Sequence, residues 1–177
     1  MQLPKIEVKK ILYATDLSDS ARYAFAYALS LANLYRSKLV ILHVLPENPD
    51  LEGLVGSYVD PEQWQKIKAQ HMQEAREALI GKRREGAVIR EVLGHFYEQA
   101  GKDLETDAID ADEILVERGQ PVEQIVRVAE EHNIDLIVMG RHGYGAFKDA
   151  LMGGVARGVL HHSPKPVLLV KLPEGEE

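Results

Sequence analysis

Short apolar runs rich in β-branched residues recur along the chain. They lie at residues 11–14, 39–44, 136–139 and 167–170, and a weaker run lies at 113–116. Each run is too short for a typical helix, and an uninterrupted apolar run is typical of a strand buried on both faces of a parallel sheet. The pattern therefore predicts five buried β-strands.

The segments between these runs carry apolar residues at the spacing of helices. Apolar residues recur every three or four positions over 21–32, after a candidate N-cap at Ser18 or Asp19. Pro121 opens a second helix, and a third runs over about 149–160. Strands that alternate with helices imply right-handed βαβ crossovers. The predicted fold class is α/β: one domain over 1–177, built on a doubly wound five-stranded parallel sheet with helices on both faces.

A long connection separates the second and third predicted strands. From Pro61 onward it carries apolar residues at helical spacing, interrupted at Gly81 and Gly86. We expect a broken helix or a helix pair, within an insertion over about 50–110 that begins with a mobile loop. Its apolar stripe is expected to pack on the sheet, as such stripes usually do. The alternative is that it extends a subunit interface or covers a site.

Composition and charge restrict the possible partners. Apolar residues make up 45% of the chain, and the 28 acidic residues outnumber the 21 basic ones to give a net charge of -7. This balance opposes binding to nucleic acid. Without cysteine there is no disulfide framework or thiolate site. No apolar run approaches the length of a membrane span and no signal peptide is evident, so the expected location is the cytoplasm.

The segment after the fourth predicted strand carries candidate chemistry. Glycines at 140, 143, 145, 153 and 154 begin where the strand ends and continue into a helical pattern. Glycine lets backbone N–H groups approach an anion closely, and a helix N-terminus adds partial positive charge, so this combination suits phosphate binding. The dinucleotide pattern would need glycine where Lys148 stands, and no P-loop pattern occurs. The same glycines would also serve a tight turn that binds nothing.

The spacing of three of these glycines makes the pattern more specific. Gly140-x2-Gly143-x9-Gly153 followed by a small residue resembles the nucleotide-binding signature of the universal stress protein family, in its ATP-binding branch. Residues 10–16, 42–44, 135–140 and 165–170 resemble its other strands. The resemblance covers nearly the whole chain except the stretch over about 50–110. It implies an adenine-nucleotide α-hydrolase-like fold that binds ATP or AMP. Mg²⁺ is expected, if at all, to enter with the nucleotide phosphates, because it needs few protein ligands.

By position, the resemblance assigns Asp16 to the ribose region, the Val44 backbone to adenine and Gly140 to the ribose side. The predicted ligand-binding residues are Ala14, Thr15, Asp16, Val44, Met139, Gly140, Arg141, His142, Gly143, Gly153, Gly154 and Val155. Independently of the resemblance, a doubly wound sheet binds ligands where the strand order reverses, at the carboxyl ends of its strands. Asp16 and Gly140 follow two such ends, on strands expected to be neighbours.

One position departs from the family pattern. Gly154 stands where the family has Ser or Thr. The missing hydroxyl removes a hydrogen bond to phosphate worth about 1.5–3 kcal/mol, but it leaves the backbone N–H in place. We expect binding to survive, either more weakly or with a preference for fewer phosphates.

Individual side chains allow alternatives. Asp16 could cap the following helix rather than hold a ligand. Arg141 and Lys148 could pair with phosphate or remain solvated, and His142 could touch the ligand or order its loop. No nucleophile and orienting acid accompany them, so no catalytic residue is assigned. No histidine pair has metal-ligand spacing, so no metal ligand is assigned.

Two functions from different classes fit the pattern, and a third fits it poorly. The first is a stress-response binding module regulated by an adenine nucleotide. The second is a slow ATP hydrolase or phosphotransferase that uses the same crevice. The third, a phosphoacceptor receiver domain, fits poorly because Ala14 and Thr15 stand where a receiver needs an acidic cluster. A homodimer is also expected through Val167–Val170, an apolar edge strand by which family members commonly dimerise.

Overall fold

Five parallel strands form one sheet in a computed structural model of the chain, which describes residues 3–45, 58–74, 81–103, 111–143 and 152–173. The strands are β1 (Lys10–Thr15), β2 (Lys38–Leu45), β3 (Ala111–Arg118), β4 (Leu136–Gly140) and β5 (Val167–Val170), in the order β3-β2-β1-β4-β5. β1 pairs with both β2 and β4, so the strand order reverses at β1. The predicted α/β class and doubly wound parallel sheet are confirmed.

Helices cover both faces of this sheet. They are α1 (Asp19–Tyr35), α2 (Pro61–Glu74), α3 (Gly81–Asp103), α4 (Pro121–Glu131) and α5 (Gly154–His162). Ser18 is the N-cap of α1 and Pro121 is the first residue of α4, both as predicted. Pro suits that position because its missing N–H would have no acceptor within the helix.

Alternate residues of the central strands enter two separate apolar cores. Ile11 and Tyr13 point towards α1, α2 and α3, whereas Leu12 and Ala14 point towards α4 and α5. Side chains in a strand alternate between faces, so a continuous apolar run fills both cores at once. Successive residues at the end of β1 therefore point to opposite faces of the sheet, one covered by α1, α2 and α3 and the other by α4 and α5.

The insertion contributes two helices to the first core. Ile67 of α2 and Ile89 and Leu93 of α3 are fully or almost fully buried there, so the described part of the predicted stripe packs in the core on this face of the sheet. The predicted interruption at Gly86 is wrong, because Gly86 lies inside the continuous helix α3. A Cβ built on Gly86 would lie 3.7 Å from Val116 Cγ1, an ordinary contact distance, and the packing of α3 against β3 offsets the low helix propensity of glycine.

The start of the last helix also differs from the prediction. The helix expected from about Asp149 begins at Gly154, because Gly153 is extended, with φ −66° and ψ 152°. The predicted mobile loop with Gly53 and Gly56, and Gly145 and Lys148 of the glycine-rich segment, lie outside the described residues. β5 lies at the edge of the sheet, as predicted.

Candidate functional site

The loop from β1 to α1 holds Asp16 in one orientation. Asp16 Oδ1 accepts hydrogen bonds from the Ser18 backbone N–H at 3.1 Å and from Ser18 Oγ at 2.6 Å. Ser18 Oγ in turn accepts from the backbone N–H of Ala21 at 3.2 Å and so caps α1. Asp16 therefore does not cap the helix itself, but it orients the residue that does.

The backbone of this loop is strained at Leu17. Its φ is 65°, in the left-handed region that a branched residue such as leucine rarely adopts. The Leu17 side chain is fully buried, and its backbone N–H donates to Thr15 Oγ1 at 3.0 Å. Such strain persists only where the surroundings impose it, and it is common at functional sites.

A second loop follows β4 and approaches the first. A Cβ built on Gly143 would collide with Asp16 Oδ2 and lie 3.3 Å from its Cγ, so only glycine fits beside the carboxylate. A Cβ on Gly140 would lie 2.7 Å from Ser20 Oγ and 3.0 Å from a backbone atom of Ser20. These two glycines bring the loops after β1 and β4 into direct contact.

The N-terminus of α5 completes this group. Gly153 precedes the helix, and its backbone N–H donates to the Arg141 carbonyl at 3.0 Å, which ties the helix start to the loop after β4. The first N–H groups of an α-helix have no acceptor within the helix, and glycine at the N-cap offers no side chain to cap them. A Cβ on Gly154 would meet nothing within 4 Å, so this position is open.

These elements enclose one cavity of about 370 Å³ at the carboxyl ends of β1 and β4. All the ligand-binding residues predicted from the sequence line it. The cavity is also lined by residues that the sequence did not predict, namely Ala21, Leu42, Pro121, Ile125, Met152 and Ala156. A signal for Leu42 existed, because it lies two positions before Val44 and therefore on the same face of β2.

The lining of the cavity combines two kinds of surface. One part of the lining is apolar and comes from the strands and α4, through Leu42, Val44 and Ile125 among others. The other part consists of Asp16, Arg141 and the glycine backbone. Arg141 Nε is buried and, in the part of the chain that the structure describes, has no hydrogen-bond partner. A buried donor without an acceptor is costly, which favours an acceptor from a ligand.

Buried titratable groups lie on the other side of β1. His43 Nδ1 is 2.8 Å from the Thr15 carbonyl, as expected of a buried hydrogen-bonded histidine, and burial lowers the pKa of His43. Burial also raises the pKa of Tyr58 to about 12 and the pKa of Tyr13 well above its usual value. His43 is therefore neutral, and both phenols keep their protons at neutral pH.

Among residues 3–45, 58–74, 81–103, 111–143 and 152–173, no group of three or more His, Cys, Asp or Glu side chains is arranged to hold a metal ion. Over the same residues, no helix has the length and apolar character needed to cross a membrane.

The family model described as the universal stress protein family matches residues 7–171, which is nearly the whole chain. This chain belongs to the universal stress protein family. Universal stress protein MJ0577 of Methanocaldococcus jannaschii is 31% identical over 172 residues, covering 92% of this chain and 94% of that protein. A universal stress protein of Thermus aquaticus is 30% identical over 173 residues, covering 92% and 98%.

Solved structures of universal stress proteins share the fold. The structure of MJ0577 superposes with a TM-score of 0.60 at 26% identity and covers 96% of this chain and 100% of its own. A universal stress protein solved in complex with cAMP gives a TM-score of 0.55 at 22% identity, with coverages of 93% and 98%. At that identity the second likeness concerns the fold alone.

Proposed function

We propose that this universal stress protein binds an adenine nucleotide, ATP or AMP, in the cavity between the loops after β1 and β4. The observation that carries the proposal is the convergence of the predicted ligand-binding residues on one cavity. They come from four separate places in the chain, near residues 14–16, 44, 139–143 and 153–155. The volume of about 370 Å³ lies within the usual range of small-molecule sites.

In this proposal the apolar part of the cavity takes the base. Leu42, Val44 and Ile125 offer apolar contact to a flat ring, and the Val44 backbone offers polar groups at the end of β2. A base enclosed in this way gains from burial of its faces, while its edge is recognised by backbone groups. The carboxylate of Asp16, oriented by Ser18, is suited to accept hydrogen bonds from ribose hydroxyls.

The phosphates are assigned to the glycine backbone and α5. The uncapped N–H groups at the start of α5 and its dipole favour an anion, and Gly153 at the N-cap has no side chain to compete for these N–H groups. The buried Nε of Arg141 supplies a further donor. Mg²⁺ would enter with the phosphates, because it usually keeps several waters and needs few protein ligands.

The comparisons support this proposal at the level of the family. A universal stress protein of the same fold has been solved with cAMP, which contains adenine, ribose and phosphate. The family also favours a role in the stress response, with the nucleotide acting as a regulatory signal. We extend the proposal to a cytoplasmic homodimer formed through β5, which lies at the sheet edge.

Isothermal titration calorimetry tests the proposal. Purified protein is titrated with AMP and with ATP, with and without Mg²⁺, at ligand concentrations up to the millimolar range. We expect saturable heat with at least one of them and none with a pyrimidine nucleotide at the same concentration. The absence of heat with both adenine nucleotides would refute the proposal.

The alternative function is slow ATP hydrolysis or phosphotransfer in the same cavity. It is kept because the acid Asp16 lies beside the proposed phosphate region, against Gly143. It requires repeated turnover that Mg²⁺ stimulates and that Asp16→Ala and Gly143→Val abolish. Turnover that persists unchanged in both variants would come from a contaminant.

A further inference from the structure

Tyr58 lies outside the cavity but contacts the loop that carries Asp16. Its side chain is buried, and its hydroxyl oxygen is 3.3 Å from Thr15 Oγ1 and 3.4 Å from the Ser18 carbonyl. A second phenol, that of Tyr13, lies 3.4 Å away. Thr15 and Ser18 are the residues on either side of Asp16 and Leu17, so Tyr58 spans the loop from the core side.

One arrangement of protons satisfies these hydroxyl groups. Tyr13 donates its proton to the Ala21 carbonyl at 2.7 Å, and Thr15 Oγ1 already accepts from the Leu17 N–H. Thr15 can then donate to Tyr58, and Tyr58 can donate to the Ser18 carbonyl, since each hydroxyl has one proton to give. Tyr58 is thus the donor that connects the two ends of the loop.

The loop needs such support because of its backbone. Leu17 holds a φ of 65°, and the loop reaches this conformation only with neighbours that fix it. Ser18 in turn holds Asp16 through two hydrogen bonds to Oδ1. A shift of the Ser18 backbone therefore moves the carboxylate in the cavity.

The position of Tyr58 itself is set by the insertion. Its ring packs on Phe96 of α3 with centroids 4.5 Å apart, and Phe96 packs on Phe25 of α1 at 5.0 Å. Tyr58 also lies three residues before the start of α2 at Pro61. The insertion therefore contacts the loop that carries Asp16 through the Tyr58 side chain.

We infer that Tyr58 is a positioning residue of the candidate site, through which the insertion between β2 and β3 sets the affinity for the nucleotide. The inference rests on the proposed function, because the position of Asp16 affects affinity only when a nucleotide binds beside it. It gives the insertion a role in binding that acts through the loop that carries Asp16.

The test compares Tyr58→Phe with Ile89→Val. The first removes only the hydroxyl, whereas the second removes one buried methylene from α3 and leaves the hydroxyl group untouched. Both are titrated with AMP in the calorimeter, after circular dichroism and thermal melts establish that they fold. We expect Tyr58→Phe to weaken AMP binding about three- to tenfold, the effect of one lost hydrogen bond, and Ile89→Val to leave it within about twofold.

A spectroscopic measurement on the unmodified sequence accompanies the titration. With ¹³C-labelled tyrosine, the ring resonances of Tyr58 should shift when AMP is added, while those of the exposed Tyr35 should not. A purely structural role would lower the melting temperature of Tyr58→Phe but leave its AMP affinity and the Tyr58 resonances unchanged. If Tyr58→Phe does not fold, the Tyr58 resonances decide: no shift at saturating AMP overturns the inference.

The results separate the two proposals. If the unmodified protein binds AMP and Tyr58→Phe binds it equally well, the inference is overturned and the proposed function stands. If the unmodified protein binds neither AMP nor ATP, the proposed function fails and the inference fails with it.

Discussion

Gly143→Ala perturbs the candidate site at the point where its two loops touch. The new Cβ would occupy the space of Asp16 Oδ2. A flexible side chain could move aside at little cost, but Asp16 is held through Oδ1 by the Ser18 N–H at 3.1 Å and Ser18 Oγ at 2.6 Å. Either the carboxylate leaves these partners or the loop after β4 withdraws from the cavity.

The magnitude follows from the bonds at stake. A hydrogen bond to a charged group is worth about 1.5–3 kcal/mol, so the loss of one lowers the affinity for an adenine nucleotide about 10- to 150-fold. Stability falls as well, because Ser18 also caps α1. The site responds to this single added methyl group because the methyl overlaps a carboxylate that its own hydrogen bonds hold in place.

Gly154→Ala is the matched control. It adds the same methyl group to the same glycine pattern, but at a position where a Cβ meets nothing within 4 Å. Calorimetric titration with AMP should give nearly unchanged affinity for Gly154→Ala and a large loss for Gly143→Ala. Equal affinities in the two variants would refute the reasoning that the contact between Gly143 and Asp16 shapes the site.

Three other predictions follow from the same contacts. Gly154→Ser adds a hydroxyl in open space at the start of α5 and should tighten ATP binding about tenfold or more in calorimetry. An unchanged affinity for ATP would contradict the assignment of the phosphates to this position. Gly158→Ala should lower the melting temperature, because its Cβ would lie 2.6 Å from a methyl group of Val122, and Val122→Ala should restore most of the loss. The pKa of Tyr58 is raised to about 12, so its contribution to stability is present below pH 10 and is lost as the pH rises from 10 to 12, where the unfolded phenol ionises first. The melting temperature should fall less steeply with pH over this range for Tyr58→Phe than for the unmodified protein. Equal slopes of melting temperature against pH would contradict this.

The position of the site could be predicted from the sequence because it depends on short-range signals. Each strand is a continuous apolar run, and the crossover rule then places Asp16 and Gly140 on neighbouring strand ends, as observed. The glycine spacing identified the second loop. These signals are local in the chain, and the topology brings them together without further information.

Features that depend on contacts distant in sequence could not be predicted. Tyr58 follows a long segment after β2, and nothing near it indicates that its hydroxyl meets Thr15 and Ser18. Gly86 has the low helix propensity of glycine, but it lies inside the continuous helix α3, which packs against β3. In both cases tertiary contacts, rather than local preference, decide the outcome.

Backbone NMR measures the central claim most directly. In ¹H–¹⁵N spectra of the unmodified protein titrated with AMP, the amide signals of Gly143, Gly153, Gly154 and Val155 should show the largest shifts. The signal of Gly119, which does not line the cavity, should stay in place. Saturable shifts confined to the cavity amides are the predicted result. Shifts centred elsewhere, or none at millimolar AMP and ATP, would contradict the account.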